Sequence, residues 1–285
     1  MPFLFYAWVS SFAYAFLAIF SKLTSKHVIS NPWLLNFSWT FFSFVLLLPI
    51  LATKDLTWPN EWLFLILASV CNAIWFILYA FSLYKLDVSV ISPLYNFQNI
   101  FAIALSFIFL NEQISPFQLF LIALIFIAGM FVSLDEKFHI RSFFNKSVGI
   151  LALGMFFLSL SRIFTNLTLR ENGIWETTAG IFTFTLLALI PTFPLFKKDL
   201  KRLTVKQASP LLLMSISYVI GTVAAYEAFK ENVGISSIII SLPLSLILII
   251  ILSRYKPDLL EKHTAKVYTI RFIATLIMIV SALML

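Results

Sequence analysis

The chain has 285 residues, of which 61% are apolar and only 12% charged, and its mean hydropathy is +0.97. Soluble domains are roughly 45–50% apolar and about 25% charged, so a soluble globule of this composition would expose far too much apolar surface. With 32 Phe and 7 Trp the chain is equally unlike a disordered segment, and its net charge of +7 does not read as a nucleic-acid footprint, because the basic residues fall between apolar runs and there set orientation.

Charges and turn residues divide the sequence into ten apolar stretches, at 3–21, 32–52, 61–83, 88–109, 116–134, 147–168, 174–196, 208–229, 234–252 and 266–285. A membrane-crossing helix needs about 20 residues, so ten helices use most of the chain and leave no room for a soluble catalytic domain. The alternating pattern of an outer-membrane barrel, in segments of about 10 residues, is absent. The first run, Phe3–Phe20, reads as a helix rather than a cleavable signal, because Met1–Trp8 carries no basic side chain and the run has a span's length. The expected fold is therefore all-α and polytopic, with ten transmembrane helices joined by short connections. The longest basic connection, Lys197–Arg202, separates spans seven and eight.

An internal repeat organises these spans. A shift of 142 positions lays Trp33, Phe42 and Pro49 on Trp175, Phe184 and Pro191. A shift of 147 lays Tyr79, Ser89 and Ile91 on Tyr226, Ser236 and Ile238, and a shift of 149 lays Glu112–Ser115 on Glu261–Thr264. The halves are 1–140 and 141–285, five helices each. Five is odd, so the halves enter the membrane in opposite directions, the inverted-repeat plan of many secondary transporters. Fifteen Lys and Arg fall on one face and four, Arg162 within span six included, on the other, which by the positive-inside rule puts both termini outside.

The stretch Phe109-Leu-Asn-Glu112-Gln-Ile-Ser115-Pro-Phe-Gln118, followed by an apolar helix ending Ala128-Gly129, together with the helix ending Tyr79–Ser89, resembles the drug/metabolite transporter superfamily, and more narrowly the EamA-type permeases. The second half echoes both segments in Tyr226–Ser236 and Glu261–Thr264. Two positions depart from the family pattern. Asn111 stands where a Gly precedes the Glu, and Gln98-Asn99 stand where relatives often carry Glu-Pro, while Leu242-Pro243 retains a proline in the second half. Relatives often keep their termini inside, opposite to the charge count. The resemblance implies a central cavity surrounded by spans one, three, four, six, eight and nine, with spans five and ten peripheral.

Polar groups inside hydrocarbon cost free energy unless paired or hydrated, so those within spans are the candidate path. Span one offers Tyr14, with Ser11 and Ser21, and no ionisable group between Met1 and Lys22; the proton-coupling glutamate that small four-helix relatives place there is missing. Span three carries Asn72, Trp75, Phe76 and Tyr79 on one helical face, and span eight carries Tyr218, Thr222 and Tyr226. Tyr79 and Tyr226 lie near helix ends, where an interfacial aromatic belt is the alternative. Span four groups Tyr95, Asn96, Gln98 and Asn99, either a hydrogen-bonding wall for substrate or glue between helices. In span nine Ser237, Ser241 and Ser245 form a small-residue packing seam, and Pro243 suggests a local break. Arg162, with Ser159 and Asn166 on its face, either binds an anion or reaches the headgroups, and Arg271 is expected to snorkel. Glu227 pairs with Lys230 one turn on, or stands as a carboxylate at the cavity mouth.

Enzyme signals are missing. His27, His139 and His263 sit apart in loops, Cys71 is alone, and no phosphate-binding loop exists among seven glycines. The expectation is no catalysis, no cofactor and no metal. The chain reads as a secondary transporter, exporter or facilitator, of small polar or amphipathic metabolites such as amino acids, working by alternating access. A lipid-carrier flippase is the alternative, and an intramembrane enzyme the weakest reading. The expected partners are a small-molecule substrate and the lipid bilayer of a prokaryotic cytoplasmic membrane, with no nucleic acid. A monomer suffices, since both halves lie in one chain, and a homodimer is compatible.

Overall fold

Helix starts and stops follow local chemistry. In the computed structural model, which describes residues 2–86, 91, 95, 97–110, 115–132, 146–201, 203–255 and 264–284, α1 runs Pro2–His27 and α2 Pro32–Leu51. Asn31 opens α2 by accepting from the backbone N–H of Trp33 at 2.9 Å, with Pro32 at the first helical position, where its missing N–H costs nothing. α3 (Leu63–Lys85) is followed by α4 (Phe97–Leu110), α5 (Pro116–Val132), α6 (Lys146–Glu171) and α7 (Ile174–Leu189). Pro191 and Pro194 convert the end of the seventh run into a 3-10 segment, Ile190–Leu195, and a single helical turn, Lys197–Leu200, occupies the basic connection. Then come α8 (Val205–Phe229), α9 (Val233–Ile240), α10 (Leu244–Tyr255) and α11 (Ala265–Leu283).

Among the described residues six helices are long and apolar enough to cross a membrane: α1, α2, α3, α6, α8, and α7 taken through its 3-10 extension. The other expected spans are occupied by shorter apolar helices. The ninth is divided in two, α9 and α10, by Ser241–Pro243, because Pro243 supplies no N–H to the helical ladder. The Glu112 turn, Asn96 and the Glu261–His263 tract lie outside the described residues, as does the side chain of Asn99.

The distribution of polarity is that of an all-α polytopic membrane protein. Phe5, Phe12 and Phe16 of α1 face outward, as do Phe117, Phe120 and Phe131 of α5, while Ser10, Ser11, Ser21 and Thr24 are buried. Interior hydroxyls bond back to their own helix, Thr40 to the carbonyl of Asn36 at 2.9 Å and Ser69 to that of Leu65 at 2.7 Å. They thereby become small, internally satisfied surfaces for close packing. Arg271 corrects the snorkelling expectation: it is 1% exposed, because its position on α11 faces the packed interior rather than the helix end.

Two long seams dominate the packing: α1 lies along α8, and α3 along α6. Glycine permits the close approach in each. A Cβ on Gly221 of α8 would lie 2.7 Å from the ring of Tyr14, and one on Gly154 of α6 would lie 3.0 Å from the indole of Trp75. Across the seams Tyr14 and Thr222 share a hydrogen bond of 3.1 Å, and Ser161 Oγ donates to the carbonyl of Ala68 at 2.9 Å. α2 packs against α8 and α7, whereas α5 and α11 pack on each other at one side. The seams leave a space between them.

Candidate functional site

That space is a central cavity of about 910 Å³, its open mouth included. α1 contributes Ser11, Tyr14, Leu17 and Ala18, and α3 contributes Asn72, Trp75, Phe76 and Tyr79. α6 adds Ser161, Arg162 and Thr165; α8 adds Tyr218, Thr222, Tyr226 and Phe229. The wall is completed by Trp39 of α2, by Tyr95 ahead of α4, and by Ser241, Leu242 and Ser245 at the break between α9 and α10.

The aromatic spacing of spans three and eight explains one end. Side chains three or four positions apart share a helix face. Trp75 and Tyr79 therefore meet at 5.0 Å between ring centroids, tilted by 37°, and both reach Tyr95, at 5.6 and 6.1 Å. Trp39 fits between Phe76 at 4.5 Å and Tyr218 at 5.2 Å. Tyr79 is 2% exposed and its hydroxyl bonds Ser21 of α1 at 3.0 Å. Tyr226 is buried as well. Neither belongs to an aromatic belt: α1 and α6 cover the faces that an interfacial position would leave open. Asn72 holds the middle through long contacts, donating to Thr185 Oγ1 at 3.4 Å and to Tyr218 Oη at 3.5 Å.

The other end is built around Arg162, 8% exposed, its guanidinium carbon 5.5 Å from the ring centroid of Phe229. Tyr14, Tyr95 and Tyr226 are its electrostatic neighbours. Nη1 has no hydrogen-bond partner, and no carboxylate stands among the described residues lining the cavity. The residues read as its companions have other work. Ser159 Oγ donates to the carbonyl of Gln98 at 3.0 Å, and Asn166 Nδ2 to that of Phe229 at 2.5 Å.

The remaining candidates divide by helix rotation. Gln98 is fully buried but outside the cavity; Nε2 donates to the carbonyl of Ser237 at 3.4 Å, joining α4 to α9. Ser237 stays in that seam, while Ser241 and Ser245 reach the cavity wall. Pro243 shapes the break without lining the space. Glu227 follows Tyr226 by one residue, about 100° around the helix, so it turns away and pairs with Lys230 at 3.6 Å, both partly exposed. Trp39, Ser161 and Thr165 line the cavity although sequence reasoning passed over them, and Ser11 joins Tyr14 there. The hydroxyls of Ser38, Thr40 and Ser43 flanking Trp39 mark α2 as an inward-facing helix, a usable signal in retrospect.

Apolar outer faces and a lined chamber within define the class: a polytopic membrane protein with an internal cavity. Residues 1–134, just under half of the chain, match the model of the EamA-like transporter family, and that match supports a membrane transporter. No curated protein matches it. Solved structures that match include a crystal structure with TM-score 0.76 at 11% identity, covering 99% of this chain and 95% of the other; that likeness speaks for the fold. Among the described residues no group of three or more His, Cys, Asp or Glu is placed to hold a metal ion.

Proposed function

We propose that the protein is a secondary transporter of small polar or amphipathic metabolites, such as amino acids, that works by alternating access around the central cavity. The observation that carries this reading is the cavity itself. It is walled by residues near the midpoints of α1 and α3, by α6 and α8, and by the break of the ninth span. The reading takes the ten spans as two inverted five-helix halves, 1–140 and 141–285. The packing supports it: if α1 corresponds to α6 and α3 to α8, the seam of α1 on α8 is the counterpart of the seam of α6 on α3. Rocking of these seams would expose the cavity to each side in turn. The Lys and Arg bias puts both termini outside the membrane, and export or facilitated diffusion is the proposed direction of use.

A thermal-shift screen of the purified protein against amino acids, quaternary amines, nucleosides and polyprenyl phosphates tests the reading, since a ligand that binds the native state raises Tm by mass action. A metabolite that shifts Tm should also cross proteoliposome membranes containing the protein. A polyprenyl phosphate as the sole stabilising ligand would replace this reading with a flippase.

A further inference from the structure

Buried guanidinium groups are held by carboxylates or by several acceptors, because an uncompensated charge away from water is costly. Arg162 is more than nine-tenths buried, yet the described cavity wall offers it only neutral groups: the phenols of Tyr14, Tyr95 and Tyr226 and the ring of Phe229. Nη1 is without a hydrogen-bond partner, and two further cavity residues carry unsatisfied polar atoms, Trp39 at Nε1 and Ser11 at Oγ. Guanidinium and indole N–H groups only donate. These two donors therefore lack acceptors, and no described residue of the wall carries a negative charge.

We propose that Arg162 is a carboxylate subsite, and that the cargo is a metabolite with one carboxylate attached to an apolar or aromatic body. This rests on the transporter reading and names its substrate class. The planar guanidinium fork matches a carboxylate in two parallel hydrogen bonds. One cation balances one negative charge, so a phosphate dianion would leave a net charge in the buried space. The body of the cargo lies against the aromatic cluster of Trp75, Tyr79 and Tyr95, whose rings touch one another at 5.0–6.1 Å between centroids. The ammonium of an α-amino acid stays beside its carboxylate, where the neighbours of Arg162 are the rings of Tyr14, Tyr95, Tyr226 and Phe229 rather than a carboxylate.

The test compares L-phenylalanine, 3-phenylpropionate and L-phenylalaninamide for binding to the purified full chain. The two carboxylates are expected to bind at least tenfold more tightly than the amide, the factor a charge-assisted hydrogen bond supplies. Arg162→Gln should erase that preference, and should raise Tm in the absence of ligand by removing an uncompensated charge. An amide that binds as well as the acids overturns the proposal on the wild-type protein alone, whatever the variant's folding. So does a variant that keeps the preference for acids. If amides or nucleosides bind and cross proteoliposomes while carboxylates do not, the subsite falls and the transporter stands. If no compound of any class binds or crosses, both fall.

Discussion

Replacing Gly221 by alanine inserts a methyl group into the seam between α8 and α1. The new carbon would lie 2.7 and 2.9 Å from Cε1 and Cδ1 of Tyr14 and 3.3 Å from Cβ of Ala13. Carbon atoms prefer about 3.5–4.0 Å, so the shortfall at the ring is close to 1 Å. The Tyr14 ring cannot swing aside freely, because its hydroxyl is bonded to Thr222 one residue further along α8. Either that bond breaks or the helices part. Overpacking costs about 1–3 kcal/mol, and the lost hydrogen bond about 0.5–1.5 kcal/mol more. Alanine returns up to about 1 kcal/mol in helix propensity. The net destabilisation is about 1–3 kcal/mol, or roughly 2–12 °C in Tm at about 2–4 °C per kcal/mol. Gly149→Ala is the control, since nothing lies within 4 Å of its Cβ position; it should leave Tm unchanged or slightly raised. Thermal unfolding of both variants in one detergent decides the matter. A Gly221→Ala protein as stable as Gly149→Ala would refute the close-packed seam.

Other expectations follow from the cavity wall. Asn72→Leu should lower transport several-fold in proteoliposomes with little change in Tm, because its two hydrogen bonds are long and contribute little to stability. Trp39→Ala removes a 2%-exposed indole packed on Phe76 and Tyr218 and should destabilise by about 3–5 kcal/mol, seen as a large fall in Tm. Glu227→Gln should leave flux within about twofold, since its partly exposed pair with Lys230 is worth about 0–1 kcal/mol and faces away from the cavity.

Much of this was legible in the sequence because the bilayer is a demanding solvent. Apolar runs of span length announce themselves, and polar side chains inside them are few enough to single out. Asn72, Tyr79, Tyr218, Thr222 and Arg162 were found that way, and the structure brings them to one space. Rotation about each helix axis was not legible. A single residue separates Tyr226 in the wall from Glu227 outside it, and Gln98 lies in a helix seam three positions from Tyr95. Such differences depend on how neighbouring helices pack, which no local pattern encodes. Trp39 was passed over because a tryptophan within a span fits lipid, belt or cavity equally well. The buried Arg271 reads as a snorkelling group for the same reason: its burial is set by α11's neighbours.

Two of the protein's seven tryptophans, Trp39 and Trp75, stand in the cavity wall. Indole emission responds to local polarity and to hydrogen bonding at the ring nitrogen, and that of Trp39 has no partner. A guest that accepts from it, or that changes the hydration around the two rings, alters the colour and intensity of the protein's own fluorescence. The chain thus carries an optical gauge of cavity occupancy, readable in detergent or in liposomes without attaching a dye.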